Sequence, residues 1–207
     1  MMIADCGTRV RSPATWIASL AAIVLVALAS WGCTGRDRGE TGGASSVAAP
    51  PVDTILMAYL SKARSLHHLA DMREEDGDLR GAVAELDKLM TTPIPGGAQP
   101  MQEALEVLAD TYARTAELRG QLGEFDAAER DLEQGLKRAP KVSFFEGHLY
   151  EVRGVIAQKR AKALADKGDK DGSEKQRRRA FEDFDQAGRI QDKVIERLLP
   201  DAGGHGR

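Results

Sequence analysis

The sequence predicts an all-α protein in which three antiparallel helical hairpins stack behind a disordered tether. Three observations lead to this prediction. Aromatic residues make up only 5% of the chain, and Ala, Leu and charged residues are abundant, a composition that favours helix over strand. Apolar residues recur at three- and four-residue steps after residue 52, as on one face of a helix. Glycines and prolines interrupt this pattern at intervals that suit short helices.

The first 32 residues are predicted to be a signal peptide. Arg9 and Arg11 precede an apolar run from Trp16 to Ala29, and basic residues ahead of a short apolar run are typical of secretory signals. Just beyond this run stands Gly32-Cys33, which resembles the lipobox of bacterial lipoproteins. In that family the cysteine is lipidated and becomes the mature N-terminus, so the resemblance implies lipidation at Cys33.

Two other outcomes stay open for this segment. Ala27-Leu28-Ala29 is a small-x-small site at which an ordinary signal peptidase would release a soluble protein. The apolar run also comes near the ~20 residues needed to cross a bilayer, so it could remain uncleaved as an anchor. Residues 33–52 are rich in Gly, Ser, Ala and Pro without periodicity, which predicts a flexible tether.

The first helical pair is predicted to begin near Asp53. A wide apolar stripe from Ile55 to Ala70 predicts one helix, which ends at Gly77. The return helix follows over residues 79–90, and a loop with three prolines separates it from the next pair.

The second pair is predicted over residues 101–120 and 124–138. The second helix has small or apolar residues on one face, which lets a neighbouring helix approach closely, and Pro140 ends it. These residues are Phe125, Ala128, Leu132 and Gly135.

The segment from Gly123 to Pro140 resembles the second helix of a tetratricopeptide repeat. The matching pattern is Gly-x-Phe-x-x-Ala-x-x-x-Leu-x-x-Gly-x-x-x-x-Pro. The run from Leu105 to Tyr112 resembles the family's first helix. The resemblance covers residues 53–199 and implies a helical-repeat array. The repeat interval is long against about 34 residues in the family. Ala82 and Ala128 are 46 residues apart, and Ala180, their expected counterpart in the third pair, follows 52 residues after Ala128.

The third pair is predicted to start after Pro140. Ser173 and Gln176 resemble a capping box, which predicts the start of the last helix there. The charges of this helix predict that it caps the array with a polar face, and residues 200–207 are expected to fray. The residues predicted to pack the repeats together are Ala82, Leu86, Tyr112, Phe125, Ala128, Leu132, Gly135, Ala180, Phe184 and Ala187.

The resemblance also implies a binding surface. In the family the first helices of the repeats line a concave groove that takes extended or helical peptides of another protein. In the register of the second repeat, the groove residues would be Arg64, His67, Asp71, Glu103, Glu106, Asp110, Tyr150 and Arg153.

Composition excludes several other functions. A net charge of −3 carries no nucleic-acid signature. Both cysteines, Cys6 and Cys33, precede the helical region, which therefore has no disulfide or thiolate chemistry. His67 and His68 are adjacent, so on a helix they point about 100° apart and chelate one metal poorly. We therefore expect no catalytic residue, no cofactor and no metal.

These observations together predict a non-enzymatic lipoprotein of the cell envelope, a scaffold or adaptor that assembles or localises a complex. It would be held at the membrane through lipidated Cys33, facing the periplasm or the cell surface. Thr34 after the cysteine favours the outer membrane under the sorting rule known best, in which Asp at this place retains a lipoprotein at the inner membrane. The alternatives are a self-associating structural protein, that is, a homo-oligomer, and a hydrolase whose site the sequence does not reveal.

Overall fold

The structure, a computed structural model, describes residues 53–199 and forms six α-helices there. They are α1 (Thr54–Glu75), α2 (Leu79–Met90), α3 (Gln102–Gln121), α4 (Phe125–Arg138), α5 (Phe144–Asp166) and α6 (Lys170–Leu198). This part of the chain contains no strand, so the prediction of an all-α protein is confirmed for it. The signal peptide, the tether, the lipidation site Cys33 and the tail 200–207 lie outside the described residues. No helix within 53–199 is long and apolar enough to span a membrane.

Consecutive helices pack as three pairs, α1 with α2, α3 with α4 and α5 with α6. In the first pair Tyr59, early in α1, shares a buried cluster with Leu89, late in α2. Ala70, late in α1, shares another with Ala82, early in α2. The two helices therefore run antiparallel. α3 contacts both helices of the first pair, and α5 contacts both helices of the second, so each junction between pairs has the same contacts.

The three pairs turn in the same way at Gly77, Gly123 and Gly168. Each glycine has a positive φ, of 79°, 76° and 81°, a conformation that costs glycine little because it has no Cβ. The next residue donates its N–H to the carbonyl five residues before it, as Asp78 does to Arg73 at 2.8 Å. Glu124 and Asp169 repeat this bond with Arg119 and Leu164, at 2.9 and 3.0 Å. Such a bond closes a helix C-terminus in the Schellman manner.

This turn sets the register of the third pair, which differs from the one expected. Gly77, Gly123 and Gly168 are 46 and 45 residues apart, so the counterpart of Ala82 and Ala128 is Ser173, and not Ala180. Ser173 is also not the cap of α6. The helix begins three residues earlier, and the side chain of Asp169 caps it by accepting the N–H of Gly172 at 2.9 Å.

The largest buried cluster lies between the second and third pairs. Ala128, Leu132 and Tyr112 belong to it, together with Leu149 and Ile156 of α5. Gly135 of α4 lies beside this cluster, and its missing side chain matters. A Cβ built there would lie 2.7 Å from a methyl carbon of Leu149 and 3.0 Å from the Tyr112 Cβ. Gly135 therefore lets α4 approach its neighbours closely.

The last helix differs from the predicted polar cap. Most of its charged residues are exposed, although Asp183 is buried. A second exposed face of α6 is apolar. Phe181 is 70% exposed and Leu198 is 72% exposed, and Phe184, at the edge of the same face, is 36% exposed. Ala180 and Ala187 are buried. The described part of the array thus ends on an uncovered apolar surface.

Candidate protein-binding face

The first helices of the three pairs lie side by side, with α3 packed between α1 and α5. Counted from the turn glycines, Arg64, Asp110 and Val155 occupy the same position on these helices. Asp71, Glu117 and Lys162 occupy another shared position. We call the surface formed by the exposed positions of α1, α3 and α5 the first-helix face.

His67 and Thr111 join α1 to α3 beneath the first-helix face, where Thr111 has no exposed surface. The His67 Nε2 lies 2.9 Å from the Thr111 hydroxyl, and that hydroxyl donates its own proton to the Val107 carbonyl at 2.8 Å. The Thr111 oxygen is therefore free to accept, so neutral His67 carries its proton on Nε2. Burial lowers the pKa of His67, while the carboxylates of Asp110 and Asp71 act in the opposite direction.

Lowering the pH below the ordinary histidine pKa of about 6.5 is expected to destabilise the protein through His67. In this window the unfolded chain binds a proton that the folded chain, with its lower pKa, does not bind. Stability therefore falls as pH falls and is retained above the ordinary pKa. Asp131, whose pKa burial raises to about 6, acts in the opposite direction.

This expectation is checked by measuring melting temperature against pH for the wild type and for His67→Gln, which removes the titrating group and keeps a donor. The curve of the variant should fall less steeply between pH 7 and 5. Parallel curves would show that His67 is not held neutral in the folded protein.

Arg114 forms the main charge cluster between α1 and α3. Its guanidinium pairs with Glu74, lies 3.6 Å from the Asp71 carboxylate and 3.5 Å from that of Glu117. The Gln121 amide donates to Glu74 at 3.3 Å. Three carboxylates around one guanidinium give this end of the face a net negative charge, and Asp71 stands at its exposed edge.

The other end of α3 carries further carboxylates. Glu103 is exposed, and Glu106 and Asp110 are half-buried. Glu106 accepts the Gln102 amide at 2.8 Å. Within residues 53–199, Glu103, Glu106 and Asp110 have no Lys or Arg within ion-pair distance. Arg64 is exposed on α1. Because α3 is the middle helix of the first-helix face and carries these three carboxylates, the middle of this face is acidic.

Arg153 is directed towards α6, and Tyr150 lies beside it. The Arg153 guanidinium donates to Asp183 of α6, with its Nε 2.9 Å from the carboxylate, and its Cζ is 4.6 Å from the centre of the Tyr150 ring. By turn register Tyr150 corresponds to buried Tyr59 and half-buried Leu105, and Arg153 to exposed Lys62 and buried Leu108. Tyr150 and Arg153 are themselves half-buried.

The α5 residues at the positions of Glu103 and Glu106 are His148 and Glu151. The His148 Nδ1 lies 3.4 Å from the Glu151 carboxylate, and the exposed Phe144 ring stacks on His148 with 5.9 Å between centroids. Sequence reasoning missed these residues. The signal that would have found them was the spacing from Gly168, which corresponds to Gly77 and Gly123.

A second charged surface lies between α4 and α6. Arg160 pairs with Asp126 at 2.8 Å and with Glu129 at 3.3 Å, and Arg179 reaches Glu129 at 2.9 Å. The Arg160 pairs join α5 to α4, which pack directly, and the Arg179 pair joins α6 to α4, which do not. These guanidinium and carboxylate groups pair with each other, so contacts within the protein explain why charged residues collect on this surface. Among the described residues, no three His, Cys, Asp or Glu side chains are placed to hold a metal ion.

Comparison of the chain with protein-family models, curated proteins and solved structures finds no match. The resemblance to the tetratricopeptide family therefore stays a prediction from the sequence.

Proposed function

We propose that this protein is a tetratricopeptide-like scaffold lipoprotein of the cell envelope, and that its first-helix face binds a segment of another protein. The observation that carries the proposal is the repetition of one unit. Three helical pairs share the same glycine turn, and each new pair contacts both helices of the pair before it. Units of this kind cannot bury their apolar faces alone, and their arrays present long surfaces to partners.

The negative charge of the first-helix face indicates which side chains a bound segment would carry. Among the described residues, no basic side chain pairs with Glu103, Glu106 or Asp110. At the other end of α3, Arg114 forms ion pairs with the carboxylates there. A segment with lysine or arginine residues would neutralise the three carboxylates of α3 on binding. Complementary charge adds mainly specificity and association rate. We therefore propose a basic peptide segment as the bound element.

The attachment to the membrane is the second part of the proposal. It is supported by the Gly32-Cys33 pair behind the apolar run and by the Gly- and Ser-rich stretch that follows. A lipidated cysteine and a flexible spacer would hold the helical array near a membrane while leaving its face free to bind. The cell envelope, and the outer membrane in particular, is the proposed location.

Reversing one charge on the face tests the binding proposal. Full-length tagged protein with Asp110→Lys should lose its co-purifying partner, because a like charge opposes a basic segment. Glu133→Lys is the matched control, since Glu133 is an exposed carboxylate on α4, and it should keep the partner. Equal capture by both variants would place binding elsewhere, and capture of no protein by the wild type would contradict the scaffold function.

A further inference from the structure

A cleft with a volume of about 300 Å³ lies between α5 and α6. Its lining combines small or aromatic apolar residues with two basic ones. Those that matter here are Ala161, Lys162 and Ala165 of α5 and Arg177, Ala180 and Phe181 of α6. Both basic residues are exposed. Apolar walls with a few charged groups are typical of binding sites.

The corresponding surface of the second pair is covered by α5. Counted from the turn glycines, the counterparts of Ala161, Ala165 and Ala180 are Ala116, Gly120 and Gly135. Ala116 belongs to the buried cluster that contains Leu149 and Ile156 of α5. A Cβ built on Gly120 would collide with Ile156, and one on Gly135 would lie 2.7 Å from a methyl carbon of Leu149. A cleft at this place therefore holds the next helix.

The first pair holds α3 at the same place, with the large and small side chains exchanged. Where the third pair has Ala180, the first pair has Leu89, which shares a buried cluster with Ala104 of α3. The second pair has Gly135 there, against Leu149 of α5. Ala104 and Leu149 occupy the same position, counted from the turn glycines. A side chain of intermediate size, such as valine, would complement Ala180.

The charge at this place is reversed in the third pair. In the first pair the Asp71 carboxylate lies 3.6 Å from the guanidinium of Arg114 on α3. The position of Asp71 holds Glu117 in the second pair and Lys162 in the third. Within residues 53–199, no carboxylate lies within ion-pair distance of Lys162 or Arg177. A helix seated on the third pair would therefore need a carboxylate where α3 has Arg114.

Arg177 adds a second positive charge from the α6 side of the cleft. Its counterparts in the first two pairs are Leu86 and Leu132, which have no exposed surface. A purely apolar helix placed here would bury the Arg177 guanidinium without a partner, which is costly. An acidic helix would give it one.

We propose that this cleft binds an amphipathic helix of another protein. Three apolar residues of that helix, at i, i+3 and i+7, would take the places that Leu149, Val152 and Ile156 of α5 take on the second pair. Such spacing sets them on one helix face. An aspartate or glutamate at i+10 would take the place of Arg114 and pair with Lys162. The inference goes beyond the proposed function, because it does not use the carboxylates of α3.

The test measures the binding of two fluorescent peptides to full-length protein in phosphatidylcholine nanodiscs by fluorescence anisotropy. Each peptide is a helix based on alanine and glutamine, with valine at i, i+3 and i+7. One has glutamate at i+10 and the other has lysine. The glutamate peptide should bind the wild type about fivefold more tightly, since a charge pair at a partly exposed site contributes this much.

Two variants locate the binding. The double variant Lys162→Glu, Arg177→Glu should prefer the lysine peptide, because the charge of the cleft is reversed. Ala165→Trp should raise the dissociation constant of the glutamate peptide by about tenfold or more, because the indole fills the cleft. Ala165 is exposed, so its replacement leaves the core unchanged. Ala84→Trp, at an exposed alanine of α2, is the matched control and should bind like the wild type.

The proposal is overturned if neither peptide binds the wild type, if Ala165→Trp binds as tightly as Ala84→Trp, or if the double variant still prefers glutamate. Sedimentation velocity of the wild type without peptide covers the remaining occupant. A dimer that Ala165→Trp dissociates would place a second copy of the chain in the cleft, which also overturns the proposal.

Discussion

Replacing Ala128 by glutamate is expected to unfold the helical array at ordinary temperature. Ala128 has no exposed surface, and it lies in the cluster formed by α3, α4 and α5. A carboxylate there would lose its water without gaining a cation, and burial of an unpaired charge is among the most costly of substitutions. The expected loss is on the order of 4 kcal/mol or more, a large share of the 5–15 kcal/mol that stabilises a typical domain.

Circular dichroism of the full-length protein during heating checks this prediction. Ala84→Glu is the matched control, because Ala84 is an exposed alanine within α2 and glutamate is a good helix former. The control should melt within a few degrees of the wild type. If Ala128→Glu melts with the wild type as well, α4 does not pack through Ala128 and the register of the second pair is wrong.

Replacing Cys33 by alanine is expected to move the protein out of the membrane fraction, or to leave it as an unprocessed precursor. Lipid chains contribute about 0.8 kcal/mol for each buried CH₂, so their loss removes the anchor. Within residues 53–199 no helix could span a membrane in their place.

Cell fractionation with mass spectrometry of the mature chain checks this second prediction. Cys6→Ala is its control, because Cys6 precedes the apolar run and would be removed with the signal peptide. That variant should fractionate like the wild type. Membrane association of Cys33→Ala with a processed mass would contradict lipid anchoring and favour one of the two other fates of the apolar segment.

The first two helical pairs could be predicted closely from local signals. Gly77 and Gly123 stop the first helix of each pair, and the glycine conformation they adopt needs no long-range contact. The side chain of Asp53 caps α1 by accepting two backbone N–H groups, both at 2.9 Å. Apolar periodicity then identifies the buried sides of these helices, because helix geometry fixes which residues share a face.

The third pair could not be predicted as well, since its pattern is ambiguous. Ser173 occupies the place of Ala82 and Ala128, and a serine is not recognisable as a packing residue. Ala180 lies seven residues after Ser173, and together with Phe184 it shows the same spacing that Ala128 and Leu132 have in the second pair. The resemblance implies Arg153 for the binding face, whereas its guanidinium donates to Asp183, which lies 30 residues away in sequence. An ion pair between distant helices leaves no local signal.

The exposed apolar face of α6 could not be anticipated from periodicity either. Apolar residues occur on two adjoining sides of this helix, and the sequence does not show that α5 covers only one of them. Phe184 was expected to pack the repeats. It lies beside the missing side chain of Gly154, at the border between the covered and exposed sides.

The central claim, that the first-helix face binds a partner protein, is tested most directly by site-specific photo-cross-linking in cells. A photoreactive residue would be placed at Glu106 or Asp110 of α3, and for comparison at Glu133 or Lys137, which are exposed on α4. We expect one discrete protein adduct from the α3 positions and none from the α4 positions. The same adducts from both helices, or adducts from α4 alone, would contradict the claim.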